Sequence, residues 1–114
     1  MHEVALVKNI FTSIEEAFPN KMHLVRDIYV QVGLLSNVQP ILMQNAFKAV
    51  QQTQAMYAKT TLHVEVLPIL IQCTTCNSVT TITNYTFVCV CGQPCKNIIQ
   101  GNEMSINKVT FDNS

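Results

Sequence analysis

Apolar residues recur along the first third of the chain at Val7, Ile10, Phe11, Ile14, Ala17 and Phe18. That i, i+3, i+4, i+7 spacing predicts an amphipathic helix. It starts after the first three residues and is stopped by Pro19-Asn20. Ile28, Val30, Val32 and Leu34 then alternate with Asp27, Tyr29, Gln31 and Gly33, a strand with one buried face. Ser36 or Asn37 can cap a second helix that has Pro40 in its first turn. Leu42, Ala46, Ala49 and Thr53, joined by Met43, Phe47 and Val50, mark its apolar side, and Gln44, Lys48, Gln51 and Gln52 its wet side. Leu62, Val64 and Val66 alternate with His63 and Glu65, a second strand. A last strand is expected near Glu103 to Phe111. Its alternation slips at Asn107-Lys108, which a bulge or two-sided burial would explain.

The order helix, strand, helix, strand, cysteine segment, strand implies an α+β fold. Two helices pack on a small three-stranded sheet, with a zinc-knuckle (zinc-ribbon-like) module inserted before the last strand. The expected division is residues 1–72 with 101–114 in one domain and 73–100 in the other. The 114 residues are 48% apolar and 12% charged, which excludes a disordered chain. Lys plus Arg equals Asp plus Glu at seven each, so no net field favours polyanions, and nucleic acid is not an expected partner. No run approaches the roughly 18 apolar residues of a spanning helix, and no membrane association is expected. The start lacks a basic n-region. A cytoplasmic location follows, where disulfides are rare and clustered cysteines point to a metal.

All five cysteines fall between Cys73 and Cys95. Cys73-Thr74-Thr75-Cys76 is one knuckle; Cys89-Val90-Cys91-Gly92 follows, and then Cys95. Thiolates suit tetrahedral zinc. The residue after a knuckle often takes a left-handed backbone, which Asn and Gly tolerate best. Asn77 and Gly92 hold those places, which pairs Cys91 with Cys76 as closing ligands. The fourth ligand is Cys89, in a tighter C-x-C, or Cys95, in a C-x-x-x-C. A thioredoxin-like redox pair would want a C-x-x-C opening a helix, which Thr74-Thr75 before Asn77-Ser78 does not suggest. Cys95 as a thiol redox sensor is a further rival.

Met1-His2-Glu3 alone is a weak signal, since an exposed His in a free start is the commoner case. Met before His is expected to be retained, with its amine. That amine, the deprotonated His2 amide and the His2 imidazole can chelate one ion in the nitrogen-rich, planar manner that suits Ni(II) or Cu(II). Glu3 could add an oxygen or a further amide. His23, in a loop, and His63, on the outward face of a strand, read more simply as surface residues. No nucleophile–base pair or paired carboxylate suggests an enzyme.

Several segments occur jointly: Met1-His2-Glu3 before an amphipathic helix; Val30-Gln31-Val32-Gly33-Leu34-Leu35-Ser36; Pro40 through Ala46-Phe47; the two late knuckles; and Gln100-Gly101-Asn102-Glu103-Met104. Together they resemble the hydrogenase-maturation nickel chaperones of the HypA/HybF family over nearly the whole chain. The resemblance implies a nickel-binding α/β domain, here 1–72 and 101–114, and a zinc-binding domain, here 73–100. It implies transported Ni(II) held by His2 with Met1 and Glu3, and structural zinc held by Cys73, Cys76, Cys89 and Cys91, with Cys95 as the alternative fourth ligand. The implied partners are the nickel-binding GTPase of the pathway and the hydrogenase large-subunit precursor, with urease as a further client in some members; a homodimer is left open. The chain departs from the family where the second knuckle is one residue short, where Cys95 is an extra thiol, and at Leu34 and Lys48, where many members carry acids. The runner-up is a zinc-ribbon adaptor for protein or nucleic acid, which would want basic and aromatic residues around the knuckles. Between Cys73 and Cys95 there is no Lys or Arg.

Overall fold

The structure is a computed structural model that describes residues 2–112, the His2 side chain excepted. In chain order the elements are α1 (His2–Ala17), β1 (Val25–Gly33), α2 (Pro40–Thr53), β2 (Thr61–Leu67), β3 (Ile69–Gln72), β4 (Val79–Ile82), β5 (Ile98–Gln100) and β6 (Met104–Phe111). They form two three-stranded sheets, ordered β2-β1-β6 and β4-β3-β5. The two helices and the sheet containing β1 are those the hydrophobic pattern predicts; the second sheet is not foreseen. The chain groups into two compact units: Met1–Gln31, Val38–Glu65 and Ser105–Ser114 in the first, Val32–Asn37 and Val66–Met104 in the second. The second unit therefore begins before the first cysteine, because β3 takes its hydrogen-bonded neighbours from β4 and β5.

In the first unit, α1 buries Val7, Ile10, Phe11 and Ile14, the stripe that its spacing dictates. The helix reaches back to His2 rather than starting after Glu3, which sits in its first turn. Helix α2 differs from expectation in detail. Its N-cap is Gln39 with no side-chain cap, and Pro40 opens the helix. Ser36 instead donates to the Gly33 carbonyl at 2.6 Å, and Asn37 turns left-handed at φ 61°. The buried side is Met43, Ala46, Phe47 and Val50, while Leu42, Ala49 and Thr53 are exposed. Gln44 and Gln51 are not simply wet. Gln44 donates to the Leu62 carbonyl at 2.6 Å, and Gln51 to those of Tyr57 and Thr60 at 2.6 and 2.7 Å. The Gln51 bonds satisfy carbonyls in the turn between α2 and β2, and the Gln44 bond one on β2 itself.

Strand β1 buries Val25, Ile28, Val30 and Val32. Its outward residues meet β2 in order: Asp27 and Tyr29 contact His63, and Gln31 contacts Glu65. Contacts that advance together along both strands are those of a parallel pair, for which α2 is the necessary crossover. On the other side, Thr110 of β6 bonds Asp27 and Phe111 packs edge-on to Phe18, so successive residues are used on opposite faces. Asn107 and Lys108 both lie by Tyr29. Asn107 and Lys108 are both exposed, and that is where the alternation slips.

In the second unit, β3 pairs antiparallel with β4, Ile69 opposite Ile82 and Gln72 opposite Val79, and with β5 across an irregularity at Leu70/Ile71. Ile69, Ile71, Ile82 and Cys95 form a small core with Leu35, Phe87 and Ile98 against it. Residues 66–95 contain no Asp, Glu, Lys, Arg or His. No helix among the described residues is long and apolar enough to cross a membrane.

Phe11 lies between Phe47 and Tyr57, with ring centroids 5.4 and 4.0 Å away. Truncating a ring so placed opens a cavity that rigid neighbours cannot fill. Phe11→Ala is expected to lower stability by about 3–5 kcal/mol, read as a shift in the urea midpoint at unchanged slope; a loss under about 1 kcal/mol would mean that the rings close over the gap.

Candidate metal centre

The first knuckle closes at the end of β3. The Asn77 N–H donates to the Cys73 carbonyl at 3.0 Å, and the Cys73 N–H to that of Ser78 at 3.0 Å. Asn77 takes φ 60°, as its place after the knuckle predicts. The second knuckle is the tip of a hairpin. Val88 bridges to Pro94, the Cys89 N–H donates to the Gln93 carbonyl at 2.9 Å, and the Gly92 N–H to that of Cys89 at 2.9 Å. Gly92 takes φ 91° with nothing within 4 Å of where a Cβ would stand. Backbone conformation, not crowding, therefore selects glycine there. The tight turn presents Cys89 and Cys91 on one side within three residues.

The sulfurs of Cys73, Cys76, Cys89 and Cys91 all lie within 4.8 Å of one another. Cys73 and Cys91 are 3.9 Å apart, and Cys76 and Cys89 3.4 Å. Disulfide sulfurs are about 2.05 Å apart, so these are free thiols. Four sulfurs at Zn–S of about 2.3 Å in a tetrahedron are spaced about 3.8 Å apart, so the cluster fits zinc. Cys73 and Cys89 are buried, whereas Cys76 and Cys91 are exposed, which leaves the cluster covered on one side.

Without a cation Cys73, Cys76 and Cys89 hold their protons unequally. Hydrogen bonds from the Ser78 side chain and backbone, then Cys89, draw Cys76 down to about 6. N–H groups of Cys76 and Thr75 lower Cys73; the Thr75 N–H lies 3.4 Å from its sulfur. At Cys89 the Cys91 N–H acts downward, but burial and the Cys76, Cys91 and Cys73 sulfurs outweigh it and push the thiol up to about 12. Neighbouring sulfurs cannot all ionise together unless a positive charge sits among them.

Cys95 stands outside this cluster. It is 8% exposed, packed in the second unit's core, and its thiol donates to the Gln72 carbonyl at 3.3 Å. A thiol so covered is a poor target for an oxidant. Of the N-terminal candidates, Met1 and the His2 side chain lie outside the described residues. Glu3 is buried at 7% exposure on the first turn of α1. His23 borders a cavity with Glu15, Met22 and Met56. His63 is hydrogen-bonded to Asp27 at 2.9 Å, a partnership that the strand pattern gave no sign of.

A family model described as hydrogenase/urease nickel incorporation, metallochaperone, HypA matches residues 1–111. The hydrogenase maturation factor HypA of Campylobacter jejuni is 28% identical over 97% of this chain and 99% of its own. That of Aquifex aeolicus is 28% identical over 98% of each. Among solved structures, the Ni metallochaperone HypA from Helicobacter pylori matches with a TM-score of 0.68 at 24% identity, over 97% of both chains. A second HypA solution structure gives 0.70 at 23%, over 97% of this chain and 96% of that one. These two likenesses show a shared fold.

The unequal thiols can be read chemically. In metal-free, reduced protein, alkylation of Cys76 by iodoacetamide is expected to rise as pH passes upward through about 6, because the thiolate is the nucleophile. Cys89 is expected to react more slowly than Cys76 at every pH below about 12. Peptide mass mapping gives both profiles; equal rates at the two positions would show that the hydrogen bonds do not discriminate between them.

Proposed function

The chain belongs to the HypA family of hydrogenase/urease nickel-incorporation metallochaperones, and from that premise we propose that it binds Ni(II) at its N-terminus and delivers it for maturation of nickel–iron hydrogenase, or of urease. The observation that carries the reading is the family match that begins at residue 1, where Met1-His2-Glu3 stands. The chain acts as a carrier rather than a catalyst. The Met1 amine, the His2 amide and imidazole, and Glu3 form the nickel site. Backbone structure supports this use of amide nitrogen. Helix α1 begins at His2, and the first N–H groups of a helix have no carbonyl to bond. The His2 amide can therefore lose its proton to a metal without breaking a helical hydrogen bond. Glu3 in the first turn puts negative charge at the positive end of the helix dipole, which eases the approach of a cation.

Zinc is the resident metal in this reading, held by Cys73, Cys76, Cys89 and Cys91; it would supply the charge that lets four thiols ionise together. Two backbone turns fix those sulfurs, so this site is closed and slow, while a terminal site exchanges readily. The site is assigned to residues 73–100 and the nickel-binding domain to 1–72 with 101–114, in a protein that works in the cytoplasm. The nickel-binding GTPase and the hydrogenase large-subunit precursor are its partners, and it can act as a homodimer.

Zinc is expected at about one ion per chain under reducing, chelator-free purification, lost in Cys89→Ser and kept in Cys95→Ser. Retention in the first and loss in the second would exchange their roles. Calorimetric nickel titration tests the other site. His2→Ala is expected to abolish tight binding and leave zinc and fold unchanged. One residue added before Met1 is expected to weaken binding by moving the amine. Affinity is expected to fall as pH drops, because an imidazole that protonates near about 6.5 loses its lone pair to the proton. An extended chain that binds nickel as tightly as the native one would rule out the amine as a ligand.

A further inference from the structure

The outward face of the first unit's sheet carries side chains that the reading above does not use. His63 of β2 presents Nε2 to Asp27 Oδ1 of β1 at 2.9 Å. Thr110 of β6 donates to Asp27 Oδ2 at 2.9 Å and accepts from the Asp27 N–H at 3.1 Å. The hydrogen bonds from His63 and Thr110 hold Asp27 below the ordinary carboxylate value. The His63 ring also lies flat on Tyr29, with centroids 4.3 Å apart and planes at 8°. The imidazole is thus fixed at one edge and over one face. With Asp27 accepting the Nε2 proton, the neutral ring carries its lone pair on Nδ1.

His63 lines a cavity of about 270 Å³ together with Gln31, Glu65 and Asn107. Glu65 stands two residues along β2, which places it on the same face. Its Oε1 accepts from Gln31 Nε2 at 2.9 Å. We propose that this face is a second divalent-metal site, in which His63 Nδ1 and the Glu65 carboxylate bind a borderline cation such as Ni(II), Co(II) or Zn(II), with amide oxygen from Asn107 and water completing the shell. A carboxylate that accepts the far N–H of an imidazole is the arrangement by which metal-ligating histidines are oriented. Mixed imidazole and carboxylate donors suit these cations. Only two strong protein donors are present, so the site is weak and exchanges fast. Lys108, with Nζ 5.7 Å from the Tyr29 centroid, opposes a bound cation, while Asp27 favours one. Arg26, 3.9 Å from Asp27, partly offsets that aspartate.

The inference goes beyond the N-terminal reading and does not depend on it. The test uses the full chain with its cysteine cluster zinc-loaded and His2→Ala in place, titrated with Ni(II) or Co(II). One further equivalent is expected, with paramagnetic broadening of NMR signals centred on His63 and Glu65. His63→Phe keeps a ring on Tyr29 but no nitrogen, and is expected to weaken binding at least about tenfold, as loss of a ligand must. Asp27→Asn, which removes the outer partner, is expected to cost about 10–100-fold, and Lys108→Gln to tighten binding. A purely strand-tying role for the His63–Asp27 bond would move none of these titrations. Broadening centred elsewhere, as at His23, or affinity unchanged in His63→Phe overturns the proposal. If the chain with His2→Ala binds nickel as tightly as the unsubstituted one and His63→Phe removes that binding, the N-terminal reading fails and this one stands.

Discussion

An inserted module has to return the chain to the sheet it left, and here the return is a backbone-to-backbone contact that excludes side chains. A Cβ at Gly33 would stand 2.1 Å from the Gly101 carbonyl carbon and oxygen and 2.7 Å from the Asn102 nitrogen. No relaxation of a side chain could relieve that overlap. Two hydrogen bonds exploit the approach: Gly33 N–H to the Glu103 carbonyl at 2.8 Å, and Leu35 N–H to that of Gly101 at 2.7 Å. Gly101 is also held at φ 122° with Ile69 close against it. The end of β1 and the entry to β6 are therefore pinned together within the second unit.

This contact bears on what could be read from the sequence. Two of the segments that carried the family resemblance, Gly33 through Ser36 and Gln100 through Met104, are the two sides of it. Their residues could be named from sequence, but their mutual contact could not, because no periodicity encodes which loops meet. The long amphipathic stripes were legible for the converse reason: burial of Val7, Ile10, Phe11 and Ile14 on α1 follows from spacing alone. Helix α2 shows where that logic weakens. Its apolar residues span too wide an arc for spacing to select Met43, Ala46, Phe47 and Val50 over Leu42 and Ala49. Strands β3, β4 and β5 were missed because they are short, and β4 and β5 also sit among cysteines and turn residues. Tyr57, fully buried with its hydroxyl donating to Glu15 at 3.1 Å, follows the end of α2 in a turn and so belongs to no periodic run.

The candidate metal centre was more legible than the fold around it, since its cues are local. A residue at positive φ after each knuckle depends only on the chain nearby, and Asn77 and Gly92 both take that conformation. The separation of Cys95 from the cluster needed tertiary structure. Its N–H bonds the Phe87 carbonyl and its side chain turns into the isoleucine core, where a thiol behaves as a small apolar group. The chain thus uses chemically identical side chains in two ways a few residues apart. Backbone direction at the hairpin tip decides which sulfurs meet and which one is packed away.

The uncharged stretch from 66 to 95 has a consequence for how the chain behaves before it is complete. Strand β4, Val-Thr-Thr-Ile, lies at the edge of its sheet with Val79 exposed and no Lys, Glu or Pro within it. Most proteins discourage edge-to-edge association with such residues. Here only shortness and the folded hairpins guard the edge. While the cysteines are unligated and the hairpin tip is loose, this stretch is an uncharged, β-prone ribbon of the kind that self-associates. A metal held by the knuckles would therefore double as a solubility device: an ion tying them together would also withdraw the most adhesive part of the chain from its neighbours.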